Sequence, residues 1–141
     1  MKRQIVVDTN VFVSALRSRR GASYRLLMLF GRSEFEINIS VPLLLEYEDA
    51  AKQIAREVGL AQADIDDILD YVCSVSRRQK VHFLWRPFLK DPQDDHVLEL
   101  AVESGSDFIV THNVRDFSGV DQFGIRVVTP KEFLRVIGGF P

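Results

Sequence analysis

Apolar residues in this chain alternate between short continuous runs and stripes at helical spacing along nearly its whole length. Ile5-Val6-Val7 is a β-branched run cut off at Asp8, which predicts a buried strand over 4–7 ending at a polar edge. Val11, Phe12, Ala15 and Leu16 then recur as one helical face until Arg17-Ser18-Arg19-Arg20-Gly21 breaks the pattern. Tyr24, Leu27, Met28 and Phe30 predict a second helix closed by Gly31, and Phe35-Glu36-Ile37-Asn38-Ile39 alternates like a strand. Ser40 is placed to cap a long helix over 41–58, with Pro42 in the first turn where its missing N–H costs nothing, and Gly59 to end it.

Asp64, Ile65, Ile68, Leu69 and Val72 predict a further amphipathic helix, and the stretch from Lys80 to Trp85 a strand of undetermined direction. Val97, Leu98, Ala101 and Val102 mark a helix after Asp94-Asp95, stopped near Gly105. Phe108-Ile109-Val110 reads as a buried strand, and a last strand over 125–128 runs into Thr129-Pro130-Lys131-Glu132, a helix start with Thr at the cap, Pro at the first position and Glu at the third. The alternation implies an α/β fold: one three-layer domain over 1–141, with a central parallel sheet flanked by helices and right-handed connections. In such sheets ligands bind beyond the carboxyl ends of the strands, near a switch in strand order. Asp8 and the segment from Asn113 to Asp116 are expected at such ends.

Composition narrows the classes. The 141 residues suffice for one core, and 46% hydrophobic with 27% charged is ordinary for a globular chain. The apolar run before Asp8 is too short for a secretory or membrane-spanning segment, so a cytoplasmic protein is expected. The single Cys73 excludes an internal disulfide or a cysteine zinc cluster and reads as a small core residue. A net charge of −2 argues against holding nucleic acid by bulk electrostatics, leaving local basic patches or metal ions for any such work.

The candidate chemistry is acidic. Asp8 directly follows a strand; phosphatases, receiver domains and metal nucleases all use an Asp there, and Asn10 departs from the Asp-x-Asp-x-Thr phosphatase pattern. Glu46 breaks the apolar run Leu43-Leu44-Leu45 early in a helix, where the dipole also favours a carboxylate. Among Asp91, Asp94 and Asp95, Asp95 is chosen as the functional residue for its spacing to Leu98 and Ala101, while Asp91 and Asp94 are read as structural first-turn or capping acids. Asp116 lies in the polar loop Thr111-His112-Asn113-Val114-Arg115-Asp116 after a strand, where sites are commonly built. Asn113 also suits a turn at the strand end. His82 and His96 have no partner identifiable from sequence, and His112 is read as a bystander or phosphate contact.

Taken together, Val7-Asp8-Thr9-Asn10-Val11-Phe12, Ser40-x-Pro42-x-x-x-Glu46, Asp94-Asp95-x-x-Leu98-x-x-Ala101 and Val110-Thr111-x-Asn113-x-x-Asp116-Phe117 resemble a PIN domain, in order and spacing, over nearly the whole chain. The likeness is to the branch of VapC-like toxins of toxin–antitoxin pairs. It implies a ribonuclease in which Asp8, Glu46 and Asp95 match the three central acids and Asp116 the fourth, with Asn113 as the alternative fourth position.

The activity that this resemblance implies is metal-dependent hydrolysis of RNA phosphodiester bonds, leaving a 5′-phosphate and a 3′-hydroxyl. Oxygen ligands without a Cys or His cluster suit Mg²⁺ or Mn²⁺, which relieve the repulsion between neighbouring carboxylates. Asp8, Asp95 and Asp116 are the expected metal ligands, and Glu46 the residue that orients or deprotonates water. Asn10, Ser40 and Asn113 are expected to support them by hydrogen bonds. Arg17, Arg19, Arg20 and Arg115 are candidate RNA phosphate contacts, with Arg77, Arg78 and Lys80 as a second patch. A cognate antitoxin and a homodimer are the expected partners. Two alternatives stand beside this reading: a PIN-like binding module without catalysis, and a phosphoryl-transfer protein with Asp8 as nucleophile.

Overall fold

The computed structural model describes residues 2–32, 34–81 and 88–138. In chain order the elements are β1 (Arg3–Val7), α1 (Thr9–Arg17), α2 (Ala22–Met28), β2 (Phe35–Ile39), α3 (Val41–Val58), α4 (Gln62–Val75), β3 (Ser76–Arg78), α5 (Asp95–Glu103), β4 (Phe108–Val110), β5 (Arg126–Val128) and α6 (Pro130–Val136). Short 3-10 turns cover Pro92–Asp94, Val114–Phe117 and Val120–Phe123.

The five strands form one wholly parallel sheet in the order β3-β2-β1-β4-β5. Ile5, Val6 and Val7 of β1 and Phe108, Ile109 and Val110 of β4 are all buried. Successive strand residues point to opposite faces, so both faces of the centre are covered, as a parallel sheet requires. Phe35, Phe108 and Phe133 meet edge to face and tie α6 to the sheet. The α/β expectation therefore holds.

Local chemistry explains most element ends. Ser40 Oγ accepts from Leu43 N at 3.3 Å and opens α3, and Gly59, at φ 72°, closes it in the left-handed region that other residues enter at a cost. Thr129 and Glu132 exchange capping bonds of 3.2 and 2.8 Å at the start of α6.

The strand expected from Lys80 to Trp85 lies mostly outside the described residues, and only at Lys80 and Val81 does the structure correct it. The edge strand is Ser76–Arg78, parallel to β2, and Lys80 and Val81 lie beyond it; residues 82–87 fall outside the described residues. An edge strand is held by a ladder on one side only, here extended by Gln79 N to Ile39 O at 2.8 Å. Its side chains need no apolar pattern, and polar Ser-Arg-Arg carries none.

Strand order reverses at β1: the chain moves outward through β2 to β3, then crosses back by α5 to β4 on the other side of β1. The carboxyl ends of β1 and β4, with Val7 beside Val110, bound the crevice in which a ligand of this fold class binds.

Candidate active site

Asp8 is fixed by its backbone before its side chain acts. Its N–H donates to Val110 O at 2.9 Å, carrying the β1–β4 ladder one residue past the strand, and Asp8 then becomes the N-cap of α1. Oδ1 accepts from Thr9 N at 2.9 Å, and Oδ2 accepts from Thr111 Oγ1 at 2.9 Å and Asn10 Nδ2 at 3.3 Å. The residue is 7% exposed. Burial raises its pKa, with the Glu46 charge adding to the rise, against the lowering influence of the Thr111 and Thr9 hydrogen bonds.

Asn10 joins the two strand ends. Its Nδ2 also reaches Thr111 Oγ1 at 3.2 Å, while its Oδ1 accepts from His112 N at 3.1 Å. Asn10 therefore bonds both the Asp8 carboxylate and the end of β4. Ser40 Oγ instead caps α3, and Asn113 contributes its N–H to Thr111 Oγ1 at 3.1 Å.

Glu46 comes from the second turn of α3. Its neighbour Tyr47 is fully buried, stacks on Phe12 with ring centroids 4.6 Å apart, and donates its hydroxyl to Val7 O, which fixes this turn against the end of β1. Burial and the Asp8 and Glu46 charges push the Tyr47 phenol well above its ordinary pKa. Glu46 Oε1 accepts from Thr9 Oγ1 at 2.6 Å, and Oε2 lies 2.7 Å from His96 Nε2. Burial opposes ionisation of Glu46, but the bonds from His96 and Thr9 and the His96 charge outweigh it and hold the pKa below the usual value.

Asp94 and Asp95 divide differently from expectation. Asp95 is 1% exposed, and its carboxylate accepts from Leu89 N at 2.9 Å and Phe88 N at 3.3 Å, so it ties the incoming chain to the start of α5. Asp94 occupies the N-cap position but makes no capping bond with its side chain. Its pKa is raised to about 6, first by burial and then by the charges of Asp8, Asp91, Asp116 and Glu46. Asp94 thus lies within electrostatic reach of the other acids, while the Asp95 carboxylate is bonded to backbone N–H groups. Asp91, as expected, is structural: it caps the 3-10 turn by accepting from Gln93 N at 2.9 Å.

Asp116 lies in the 3-10 turn after β4, its N–H bonded to Asn113 O at 3.0 Å, and its charge acts on Asp94. Asp8, Glu46 and Asp116, from three separate parts of the chain, are thus all within electrostatic reach of Asp94. Among the described residues, no group of three His, Cys, Asp or Glu side chains is already disposed to hold a metal ion. The donor set still suits one: oxygen donors around Asp94, whose pKa is raised by burial first and by neighbouring carboxylates second, match a hard divalent ion that retains part of its water shell.

The candidate phosphate contacts differ in availability. Arg17 is paired with Glu57 at 3.0 Å, Arg19 lines a 390 Å³ groove with Tyr24, Met28, Asp67 and Tyr71, and Arg20 and Arg115 are exposed. In the second patch, Arg77 Nη1 donates to Gln4 Oε1 at 3.1 Å. His112 Nε2 lies 2.9 Å from Ser23 Oγ.

Sequence reading left out Thr9, Asp94 and His96 from the site. Thr9 carried a signal, since a hydroxyl beside a strand-end Asp at a helix start is positioned for bonding. His96 carried none, because its partner is 50 residues away.

The family model for the PIN domain matches residues 4–115, most of the chain, and the protein belongs to the PIN-domain family. PIN domains are in general nucleases. No curated protein matches the chain. Among the described residues no helix is long and apolar enough to cross a membrane.

Proposed function

We propose that the protein is a divalent-metal-dependent endoribonuclease whose working acids are Asp8, Glu46, Asp94 and Asp116. One observation carries this reading: beside the reversal of strand order, the Asp94 pKa is lifted to about 6, first by burial and then by the charges of Asp8, Asp91, Asp116 and Glu46, so carboxylates from the end of β1, from α3 and from the loop after β4 lie within electrostatic reach of the start of α5. Acids held together against their own repulsion call for a cation.

Asp8, Asp94 and Asp116 would hold Mg²⁺ or Mn²⁺, directly or through its waters; Asp94 takes the place first assigned to Asp95, whose carboxylate is occupied by backbone N–H groups. When bound, the metal supplies an activated water and stabilises charge on the phosphate oxygens. Glu46, kept ionised by His96 and Thr9, accepts the proton of the attacking water. Asp8 is clamped by Thr9, Asn10 and Thr111, an arrangement that suits a fixed ligand better than a nucleophile that must move to attack phosphorus. Arg20 and Arg115, both exposed, contact flanking phosphates, with Arg17 and Arg19 at the margin. The preference for RNA, the toxin role, the cognate antitoxin and a homodimer extend this reading on the strength of the motif resemblance.

The test is cleavage of structured and single-stranded RNAs with Mn²⁺, Mg²⁺ or EDTA, comparing wild type with Asp8→Asn and Asp94→Asn. Metal-dependent cutting lost in both variants is expected. Folded wild-type protein that cuts nothing with either metal would favour the binding-module reading. Growth arrest on expression of the wild type and none with Asp8→Asn would support the toxin role.

A further inference from the structure

The Glu46 side chain is 41% exposed, and a glutamate on a helix surface ordinarily samples several rotamers. Here each carboxylate oxygen meets a separate donor: Thr9 Oγ1 on Oε1 and His96 Nε2 on Oε2. Thr9 belongs to the first turn of α1 and His96 to the first turn of α5, so the carboxylate of α3 is held from two other helices.

The tautomer follows from the partner. An ionised carboxylate only accepts, so the proton of this bond must sit on Nε2. The ring is 12% exposed, and its Nδ1 is buried with no hydrogen-bond partner among the described residues. The ring also borders a 220 Å³ cavity whose lining is part apolar, with Val41, Pro42 and Val81, and part polar, with Ser40, Gln79, Lys80 and Glu99. A residue present only to fill this space would be apolar, because an imidazole nitrogen without a partner carries a desolvation cost. Among the described residues, the one bond the ring makes is to Glu46.

We infer that His96 is a positioning residue for Glu46: its Nε2–H, with the Thr9 hydroxyl, fixes the carboxylate in a single orientation toward Asp8. The kinetic consequence rests on the nuclease reading given above, whereas the positional one does not. Without His96, Oε2 loses its donor and the side chain is free to rotate toward solvent. A small misplacement of a reacting group costs rate far more than it costs binding.

His96→Leu fills much of the ring's volume without a donor, and His96→Gln returns an N–H at similar reach. Crystal structures of both variants without metal are the first measurement. Glu46 is expected to keep its bond to Thr9 and its orientation in His96→Gln, and to turn outward in His96→Leu. RNA cleavage is the second. A fall in kcat of about tenfold to a hundredfold is expected for His96→Leu. KM should stay within about twofold, and His96→Gln should recover most of the loss. Should the leucine variant fail to fold, His96→Asn, too short to reach Oε2, takes its place. Glu46 unmoved in the donorless variant, or kcat equal in the leucine and glutamine variants, would overturn the inference. A wild type that cleaves no RNA would defeat the nuclease reading alone, and the crystal structures would still decide the positioning role.

Discussion

Thr111 Oγ1 donates to Asp8 Oδ2 at 2.9 Å, joining the carboxyl ends of β4 and β1 across 103 residues of chain. Thr111 is fully buried and also receives Asn113 N and Asn10 Nδ2, so one hydroxyl serves an acid, a loop and a clamp. Thr111→Val keeps the shape but removes the donor. It should destabilise the protein by about 1–3 kcal/mol in urea denaturation, because a buried carboxylate loses a partner. Thr111→Ser should recover most of this; a valine variant as stable as wild type would show that the bond contributes little.

Asp94 and Asp95 should separate cleanly. Asp95→Ala leaves Leu89 N and Phe88 N without their acceptor and is expected to lower stability by about 1–3 kcal/mol, read as a shift in the denaturation midpoint. Asp94→Asn should fold at least as stably as wild type without metal and lose metal-dependent cleavage. The reverse pattern would return the site to Asp95.

The pH dependence has a definite sign. Asp94 carries a folded pKa of about 6 against an ordinary 3.8, so the folded state holds its proton more tightly than the unfolded chain. Its ionisation therefore opposes folding: the cost is absent below the ordinary value, grows between there and about pH 6, and is complete above. The melting temperature of metal-free wild type relative to metal-free Asp94→Asn should fall as pH rises through this window. Glu46 has the opposite sign, its contribution being present above the ordinary pKa and lost as pH falls through its lowered one. Parallel melting curves for the two proteins from pH 4 to 7 would contradict the assignment for Asp94.

Metal should reverse that cost. Addition of Mg²⁺ or Mn²⁺ near pH 7 is expected to raise the melting temperature of wild type by mass action and to leave Asp8→Asn and Asp94→Asn little changed. Calorimetric titration supplies an independent measure of the same binding.

Among the arginines, Arg115→Ala and Arg20→Ala should raise KM for RNA and flatten its salt dependence. Arg17→Ala should do less, since Arg17 is already paired with Glu57. Equal effects from all three would mean that the Arg17 pair opens for substrate.

The sequence by itself determined the order of elements and the caps that bound them, because these depend on neighbours a few residues apart. Ser40, Gly59, Thr129 and Glu132 act where they stand in the chain, and Asp8 lies at a strand end because Ile5-Val6-Val7 must be buried. It also offered Glu46 and Asp116 as candidates, each a charge set against an apolar run or strand. Tertiary structure decided what depends on rotation and on distant partners. Successive helical residues point about 100° apart, so whether Asp94 or Asp95 joins the other acids is set by how α5 buries Val97, Leu98 and Ala101, not by spacing along the chain. The Glu46–His96 bond, the Thr111–Asp8 bond and the polar edge strand Ser76–Arg78 likewise exist only once separate elements meet.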